Sequence, residues 1–342
     1  MKICIFSRPF HPAVGGLEQI AKTLAIEFVS LGCHVEVVTD TESRDQKDDD
    51  FPFKITRTIL FKERYFAFRR ADIVLFMNFT YAGIPAALLS RRFIALSHHS
   101  NYDSSKSLKV KLIELSKRQL SLFFINISVS QFVKKSLPGN SFIAPNAYDD
   151  NMFKYISLNR EKDFVFCGRL VSDKGANILL DAFAHIVEKF PFARLTIIGD
   201  GPEKLALQTQ SKLLKIDRNA DFTGVLRGEN LVKKLNEHAC MVIPSLWDEP
   251  FGIVALEGIA SCDTIISSNR GGLPEAVGIC GILIDPTVEK LVEAMSNVLT
   301  ARIKGIRLPG QPTAEERTIH LAKHSPRRVA QEYLKILKQV VH

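Results

Sequence analysis

Short apolar runs recur along the chain, and the segments between them carry apolar residues at helical spacing. Such runs are typical of strands in a parallel sheet that helices cover on both faces. In the first half they occur at residues 2–6, 35–38, 73–76, 93–96, 125–128 and 141–144, with an amphipathic helix predicted at about 18–31. The pattern therefore predicts an α/β domain.

The same alternation starts again in the second half, after polar and charged residues interrupt the apolar runs at about 147–162. Further strands are predicted at 164–167, 195–198, 221–223, 241–243, 264–266 and 281–283. A chain of 342 residues exceeds the length at which a single hydrophobic core usually stops growing. We therefore predict two α/β domains, at 1–155 and 156–325, and a final helix at 326–342 with apolar residues on one face.

A glycine pair follows the first strand. A dinucleotide-binding dehydrogenase would have Gly-x-Gly-x-x-Gly directly after this strand. The chain has instead a longer loop, residues 8–16, that ends in Gly15 and Gly16. Adjacent glycines allow the backbone to come close to a phosphate or a sugar. The loop therefore argues against a dehydrogenase and leaves a phosphate or sugar site open.

Two glutamates frame the segment Glu-Pro-Phe-Gly-Ile-Val-Ala-Leu-Glu, from Glu249 to Glu257. Pro250 suits the first turn of a helix, because it has no N–H to leave unpaired there. On a continuous helix the two carboxylates would lie roughly 12 Å apart, enough to contact two ends of an elongated ligand. The helix N-terminus would favour a phosphate or a polar sugar.

Two cations, Arg169 and Lys174, follow the predicted strand at 164–167. They fall at the carboxyl edge of the sheet, where open parallel sheets bind ligands. Arginine can hold two phosphate oxygens at once, whereas lysine acts as a point charge. The pair is therefore a candidate phosphate site.

These motifs together resemble the glycosyltransferases of family 4, also called glycosyltransferase group 1. The Glu-x7-Glu segment with Pro-Phe-Gly resembles the donor-site signature of retaining GT-B enzymes. Residues 168–175 resemble the Gly-Arg…Lys-Gly motif of the family, and Ile-Gly-Asp-Gly-Pro (198–202) and Gly-Gly-Leu-Pro-Glu (271–275) follow in the family's order. The Gly15-Gly16 loop resembles its first glycine-rich loop, so the likeness extends from residue 3 to about 285.

The resemblance implies a fold and a reaction. The fold would be GT-B, with two Rossmann-like parallel-sheet domains that face each other across a cleft. The first domain would lie on the acceptor side, the second would bind the nucleotide sugar, and the final helix would cross back to the first. The reaction would move a sugar, with retention, from a UDP- or GDP-linked donor to a hydroxyl acceptor in surface polysaccharide, lipopolysaccharide or glycolipid synthesis.

Roles for individual residues follow from the same resemblance. Glu257 would accept hydrogen bonds from the ribose hydroxyls, and Glu249 would lie beside the transferred sugar. Arg169 and Lys174 would stabilise the departing diphosphate, as fixed cations do for developing negative charge. The remaining donor contacts would be backbone groups of Phe251, Gly252 and Ile253 at the sugar, Leu226 at the base, and Gly15 and Gly16.

A pair of histidines, His98 and His99, ends the strand predicted at 93–96. Family members often show His-Ser-Asp at this position, and His99 aligns best with that triplet. A histidine at a strand tip can bond a donor hydroxyl or an oxygen near the reacting centre. We predict His99 for this role, with His98 as the alternative, although Asn101 stands where the family has Asp.

No metal or cofactor other than the nucleotide sugar is expected. Asp48, Asp49 and Asp50 contain an Asp-x-Asp, which in the other major glycosyltransferase fold would suggest a divalent cation. Here they lie in a charged segment, 42–53, for which we predict no adjoining strand. Arg169 and Lys174 already supply positive charge for the phosphates.

Residues 104–135 combine basic and apolar side chains within a chain of formal net charge +8. A helix of this composition can lie on an anionic membrane, and a solvated basic face is the alternative. No nucleic-acid-binding module accompanies the charge. No apolar run reaches the length of a transmembrane helix, and the N-terminus lacks a cleavable signal pattern. We therefore expect a cytoplasmic protein that can bind peripherally at the cytoplasmic face of the inner membrane.

Two other functions remain open. Another GT-B activity, such as a nucleotide-sugar epimerase or a phosphorylase, would share the donor-site residues. A nucleotide-sugar-binding protein without transfer activity would not need Glu249, Arg169 and Lys174, so their presence argues against it. Release of nucleoside diphosphate that depends on an acceptor would separate these functions.

Overall fold

The computed structural model describes residues 1–13, 15–42, 48–102, 107–156 and 160–341. The chain divides into two compact units. The first unit consists of Met1–Ala147 and His324–His342, and the second of Tyr148–Lys323. The change of unit at Ala147 precedes the predicted boundary at residue 155.

The first unit contains a seven-stranded parallel sheet in the order β3-β2-β1-β4-β5-β6-β7. Its strands are β1 (Lys2–Phe6), β2 (His34–Thr39), β3 (Lys54–Arg57), β4 (Ile73–Met77), β5 (Phe93–His98), β6 (Ile125–Ser128) and β7 (Phe142–Ile143). The helices between them are α1 (Gly16–Ser30), α2 (Phe61–Arg70), α3 (Ile84–Ser90), α4 (Leu108–Ser121) and α5 (Gln131–Lys135). The central strand β4 is buried throughout, because helices cover both faces of the sheet.

The second unit contains a six-stranded parallel sheet in the order β10-β9-β8-β11-β12-β13. Its strands are β8 (Lys162–Cys167), β9 (Leu195–Ile198), β10 (Ala220–Gly224), β11 (His238–Ile243), β12 (Thr264–Ser268) and β13 (Ile282–Ile284). The helices are α6 (Ala176–Lys189), α7 (Lys204–Leu213), α8 (Gly228–Asn236), α9 (Ile253–Ser261), α10 (Leu273–Val277), α11 (Val288–Ile303) and α12 (Ala314–Ala322). Apolar side chains of β8, β9 and α6 form the centre of its core.

The last helix, α13 (Pro326–Val341), belongs to the first unit. Its apolar face is buried, and the ring of Tyr333 packs edge-on against Phe28 of α1 at 6.4 Å. The apolar residues that recur at helical spacing in this segment therefore supply the contact that holds the helix on the first sheet.

The prediction that no strand adjoins Asp48–Asp50 is wrong. These residues form a short 3-10 turn, and β3 begins at Lys54. Arg57 at the end of β3 binds Asp48, with 2.8 Å between Nη2 and Oδ1. The sequence did not indicate β3, because its Lys-Ile-Thr-Arg is a polar edge strand without the apolar run of a central one.

The segment after the change of unit is attached to the second unit through Asp263. Arg160 and the hydroxyl of Tyr155 both donate to Asp263 Oδ1, at 2.6 and 2.7 Å. The Tyr155 ring also contacts the guanidinium of Arg317 at 4.1 Å from its centroid. A cation over an aromatic face adds electrostatic attraction to the packing. In the described part of the chain, no helix is both long enough and apolar enough to span a membrane.

Candidate functional site

Two loops at the carboxyl edge of the second sheet are joined through the backbone. The carbonyl of Asp173, after β8, accepts hydrogen bonds from the N–H groups of Leu246 and Trp247, after β11, at 2.8 and 3.1 Å. Gly175 has a φ of +70°, and a Cβ there would lie 2.0 Å from the carbonyl oxygen of Pro244. Only glycine permits this approach, so the two loops hold their side chains in a fixed relation.

Lys174 and Glu249 come together at this junction. Lys174 Nζ forms an ion pair with Glu249 Oε1, and Ser245 Oγ donates to the same oxygen at 3.1 Å. Both side chains are largely buried, with 29% of Lys174 and 14% of Glu249 exposed. The Glu249 backbone is also held, because Gly272 N–H donates to its carbonyl at 2.6 Å. The site thus places a cation and a carboxylate in direct contact.

Arg169 lies on the same loop as Lys174 but is exposed. Its neighbours hold its backbone, since Gly168 N–H donates to Ile198 at 3.0 Å and Leu170 N–H to Asp200 at 2.9 Å. A Cβ on Gly199 would lie 1.9 Å from the Gly168 carbonyl oxygen, so glycine is required there. Within the described residues Arg169 forms no ion pair, which leaves its guanidinium accessible to an anion.

The prediction that a helix begins at Pro250 is wrong. Helix α9 begins at Ile253, directly after Gly252, whose φ of +96° is left-handed. Pro250 and Phe251 therefore precede the helix, and Glu249 is not on it. The 12 Å estimate assumed one continuous helix from Glu249 to Glu257, so it does not apply. Of the two glutamates, only Glu257 lies on α9.

Glu257 is half-buried on α9. Burial, together with the nearby charge of Asp149, raises the pKa of its carboxyl to about 7. No side chain in the described ranges forms an ion pair with it. A carboxylate that is desolvated without a cationic partner costs stability, which is common where a group serves a ligand.

We expect Glu257→Gln to make the stability of the second unit less dependent on pH. The folded protein binds the Glu257 proton more tightly than the unfolded chain, because its pKa is about 7 rather than 4.5. The contribution of this proton to the free energy of unfolding is fully present below about pH 4.5, and it is lost as the pH rises through 7. The free energy of unfolding of the variant, relative to that of the wild type, should therefore rise by about 2–3 kcal/mol when the pH is raised from 5 to 8.5.

Chemical denaturation at the two pH values measures this difference. Glu275→Gln, on α10, provides a second carboxyl-to-amide change in the same unit. An equal effect of both substitutions at pH 5 and 8.5 would show that Glu257 has no special environment.

Four further residues predicted to contact the donor also lie in the second unit. Phe251 is buried, and Gly252 and Ile253 are half-buried at the start of α9. Leu226 is half-buried in the loop after β10, which is separated from β8 by β9. All of these residues follow carboxyl ends of strands in one sheet. The structure brings Lys174 and Glu249 into contact and places the others along the same edge.

The first unit contains the glycine pair. Helix α1 begins at Gly16, and Gly15 precedes it in an extended conformation. A Cβ on Gly15 would lie 2.4 Å from Glu18 Oε2, whereas one on Gly16 would meet nothing within 4 Å. Glu18 is a flexible side chain, so packing alone requires glycine at neither position. The open surface at Gly16 leaves room for the predicted close approach of a ligand.

The two histidines have different surroundings. Strand β5 continues through His98, whose Nδ1 and Nε2 bond to Tyr102 and Asn126 at 2.7 and 2.8 Å in the core. Burial lowers the pKa of His98 to about 4. Since its two ring nitrogens are occupied, His98 is a structural residue, and the functional prediction stays with His99.

His99 is half-buried and connects to the C-terminal helix. Its Nε2 lies 2.8 Å from Ser97 Oγ, which lies 2.6 Å from the hydroxyl of Tyr333 on α13. Burial lowers the pKa of His99 to about 3, with His98 adding to the shift and Asn146 opposing it. The ring is therefore neutral at physiological pH, so it can exchange hydrogen bonds but carries no charge.

The sequence analysis missed a cavity of about 710 Å³ in the first unit. Arg8, Asp40 and Asn78 line it, and they lie one or two residues after the ends of three neighbouring strands, β1, β2 and β4. Helix α4 contributes Ile113 and Lys117. The rule that ligands bind at the carboxyl ends of parallel strands would have identified these positions.

The carboxyl edge of the second sheet carries side chains that can bind phosphate oxygens and hydroxyl groups. An exposed arginine and a half-buried lysine can neutralise phosphate oxygens. Glu249 and Glu257 offer acceptor oxygens for hydroxyl groups. No group of three or more His, Cys, Asp or Glu side chains among the described residues is arranged to hold a metal ion.

Comparison with known proteins supports a family for the second unit. The sequence model of the family "Glycosyl transferases group 1" matches residues 148–308. An uncharacterized glycosyltransferase of Methanocaldococcus jannaschii is 37% identical over 117 residues, which are 34% of this chain and 30% of that protein. A glycogen synthase of Mycobacterium tuberculosis is 34% identical over 140 residues, which are 40% and 34% of the two chains. The chain thus spans about a third of the length of these relatives.

The fold is shared with solved structures. The crystal structure of Anabaena Alr3699/HepE in complex with UDP and glucose has a TM-score of 0.82 and 17% identity. The match covers 99% of this chain and 100% of that one. The predicted GT-B fold class, with two Rossmann-like parallel-sheet units and a C-terminal helix, is confirmed. The family model and the relatives' names show that the second unit is similar to glycosyltransferases.

Proposed function

We propose that the chain, whose second unit matches glycosyl transferases group 1, is a retaining, metal-independent glycosyltransferase of family 4. It transfers a sugar from a UDP- or GDP-linked donor to a hydroxyl on a glycan or a lipid-linked acceptor. The product belongs to a surface polysaccharide, a lipopolysaccharide or a glycolipid. The presence of UDP and glucose in the HepE structure supports a nucleotide-sugar donor.

The contact between Lys174 and Glu249 is the observation that carries this proposal. A nucleotide sugar has its diphosphate directly attached to its sugar, so a site for it needs a cation beside a hydroxyl acceptor. Lys174 and Glu249 meet this requirement at one point, and Arg169 lies on the same loop as Lys174. Glu257, on α9, then offers its carboxyl to the ribose.

These residues lower the energy barrier mainly by stabilising the negative charge that develops on the leaving group. As the bond between the anomeric carbon and the phosphate oxygen breaks, Arg169 and Lys174 stabilise the charge on the diphosphate. The acceptor oxygen forms its bond to the anomeric carbon on the face from which the phosphate leaves. The acceptor's proton passes to the departing phosphate oxygen. This front-face substitution retains the anomeric configuration without an enzymic nucleophile.

A glutamate nucleophile is less favoured by the geometry. The Oε1 of Glu249 is engaged by Lys174 and by Ser245. These contacts occupy Oε1 and fix the direction of the carboxylate. Its position suits the binding of a sugar hydroxyl, so we assign it to orienting the donor.

Release of nucleoside diphosphate tests the function. The purified protein is incubated with UDP- and GDP-sugars, with and without a membrane-lipid or glycan extract as acceptor. A transferase should release diphosphate only with acceptor, and proton NMR of the product should show the donor's anomeric configuration. Change of the donor without acceptor would indicate an epimerase, and a requirement for orthophosphate a phosphorylase. Donor binding without turnover would indicate a binding protein.

The structure adds an observation in favour of membrane binding through α4. In the predicted stretch 104–135, residues 104–106 lie outside the described ranges. On α4, Leu108 and Leu112 are 74% and 60% exposed, and Lys109 and Lys111 are exposed beside them. A merely solvated helix would expose polar side chains, whereas this one exposes leucine and lysine together, as an interfacial helix does. We propose that α4 docks on anionic lipid at the cytoplasmic face of a membrane.

Charge reversal should remove this attachment. Each basic residue near an anionic surface contributes about 1 kcal/mol, so Lys109→Glu combined with Lys111→Glu should weaken binding at least tenfold. Lys212→Glu with Lys215→Glu, exposed lysines of the second unit, is the matched control. Co-sedimentation with vesicles of phosphatidylglycerol and phosphatidylcholine measures it. Equal sedimentation of both variants, or equal binding to neutral vesicles, would contradict the proposal.

A further inference from the structure

The cavity of the first unit has the size and position of a ligand site. Its volume of about 710 Å³ falls in the range of small-molecule sites, roughly 300–1,000 Å³. It opens at the carboxyl ends of β1, β2 and β4, where open parallel sheets bind ligands. None of the donor-site residues assigned above lines it.

One arginine is held in the cavity wall with its terminal edge unoccupied. Arg8 donates through Nε to Asp40 Oδ2 at 2.7 Å, and no described hydrogen bond uses its two terminal nitrogens. The Arg8 side chain is 57% exposed. Because Asp40 binds Nε, the fork of terminal N–H groups stays available for two oxygens of a phosphate or carboxylate.

The carboxylate that holds Arg8 is itself fixed from behind. Arg64, which is buried, binds Asp40 Oδ1 at 2.5 Å and also donates to the carbonyls of Ala82 and Thr58. Asp40 therefore lies between two guanidinium groups and cannot repel an anion as a lone carboxylate would. Arg64 is fully used by these partners, so Arg8 is the arginine that can bind a ligand.

A second cation lies on the facing helix. Lys117 of α4 lines the cavity, is half-buried, and forms no ion pair with any described residue. Lys117 falls within the basic stretch 104–135, but its side chain lines the cavity, whereas Lys109 and Lys111 are exposed. Arg8 and Lys117 thus line the same cavity, and both can bind an anion.

Apart from the polar Thr41, Asn78 and Thr80, the remaining lining consists mainly of apolar side chains. They are Leu17, Met77, Phe79, Tyr81 and Ile113. Tyr81 is 42% exposed and its hydroxyl bonds to Ser116 of α4, which fixes the ring. A neutral, fully polar glycan would leave both the cations and these apolar surfaces without partners.

We infer that this cavity binds the acceptor, and that the acceptor carries a phosphate or carboxylate group beside an apolar one. The inference rests on the proposed transferase function and names the class of its second substrate. Arg8 and Lys117 bind the anionic group, and the apolar part packs on Leu17, Tyr81 and Ile113. An acceptor of this class includes a sugar or hydroxyl joined to a lipid through a phosphate.

Methyl NMR of methionine locates a small probe of this chemistry. The chain has five methionines, and Met77 lines the cavity, whereas Met241 and Met295 lie in the core of the second unit. Hexyl phosphate should shift the Met77 methyl resonance and leave Met241 and Met295 unchanged. Hexanol should bind at least tenfold more weakly, and hexanoate shows whether a carboxylate replaces the phosphate.

Substitutions test whether Arg8 and Lys117 bind the anionic group of the probe. Arg8→Gln and Lys117→Gln should each weaken hexyl phosphate about tenfold and bring its affinity close to that of hexanol. Lys117 lies on an exposed helix, so its variant should fold even if Arg8→Gln does not, and Arg8→Lys is the milder alternative. Arg91→Gln, at an exposed position outside the cavity, and Arg169→Ala, at the other phosphate site, should leave the affinity for hexyl phosphate at the cavity unchanged.

Equal shifts of the Met77 resonance by hexyl phosphate and hexanol, or no shift of it by either, would overturn the inference. Loss of hexyl phosphate binding in Arg169→Ala but not in Arg8→Gln also overturns it, because the probe would then occupy the donor site. The proposed function fails separately, through absence of acceptor-dependent diphosphate release. A positive Met77 titration with no such release would keep the anion site and reject the transferase.

Discussion

Arg169→Ala and Lys174→Ala should each lower the rate of sugar transfer by about 10²–10³, the usual effect of removing one group that stabilises transition-state charge. Both cations lie on the loop after β8, which is held through its backbone to the neighbouring loops. Substitution should therefore remove positive charge at the departing diphosphate and leave the loop in place. Initial rates of nucleoside diphosphate release at saturating donor measure the effect.

The ion pair between Lys174 and Glu249 makes the two positions interdependent. Lys174→Ala leaves the largely buried Glu249 carboxylate with the hydroxyl of Ser245 as its side-chain hydrogen-bond donor among the described residues. The double variant Lys174→Ala/Glu249→Gln should therefore lose less activity than the product of the single losses. A fully multiplicative loss would show that the pair does not act as a unit.

Matched controls separate charge at the site from charge in general. Arg218→Ala removes an exposed arginine, and Lys290→Ala removes an exposed lysine that also pairs with a carboxylate, Glu293. Both should retain near wild-type turnover. If Arg169→Ala and Lys174→Ala behave as these controls do, their assignment to the leaving group is wrong.

Glu257→Gln and Glu249→Gln should differ in their effect on nucleotide binding. Glu257→Gln should weaken UDP or GDP about tenfold or more, because a hydrogen bond to a charged group contributes roughly 1.5–3 kcal/mol. Glu249→Gln should leave the free nucleotide as tight or tighter, since Lys174 would lose a competing carboxylate. The intact nucleotide sugar should instead bind Glu249→Gln more weakly than the wild type.

Isothermal titration at pH 8 is the suitable measurement, because Glu257 has a pKa of about 7 and is mostly ionised there. Glu275→Gln controls for a carboxyl-to-amide change on the neighbouring helix α10. Equal weakening of the bare nucleotide by Glu249→Gln and Glu257→Gln would contradict the view that one carboxylate binds sugar and the other ribose.

The strands were predictable where the sequence had a strong local signal. Strand β6 occupies the predicted residues, and β1 and β9 do too, because a central parallel strand must be apolar on both faces. The final helix was equally clear, since its apolar residues repeat at helical spacing. Strand β3 was missed, because Lys54–Arg57 lies at the sheet edge and carries no apolar run.

Local signals were less reliable where the backbone takes an unusual conformation. Pro250 suggested a helix start, but Gly252 at φ +96° turns the chain and delays α9 to Ile253. A side chain at this position would be strained by the φ, and its Cβ would lie 2.5 Å from the Leu273 side chain. Leu273 is distant from Gly252 in sequence, so no local sequence pattern predicts this contact.

The sequence by itself determined the alternation of strands and helices, the division into two units, and the candidate residues at strand ends. These features follow from periodicity and from short motifs, which local chemistry dictates. Only the tertiary structure decided that Lys174 pairs with Glu249, that His98 is engaged in the core while Ser97 links His99 to Tyr333, and that Lys117 lines a cavity. Each of these depends on which distant segments pack together. The residues that neighbour a carboxylate or a cation in sequence do not indicate which distant side chain it will contact.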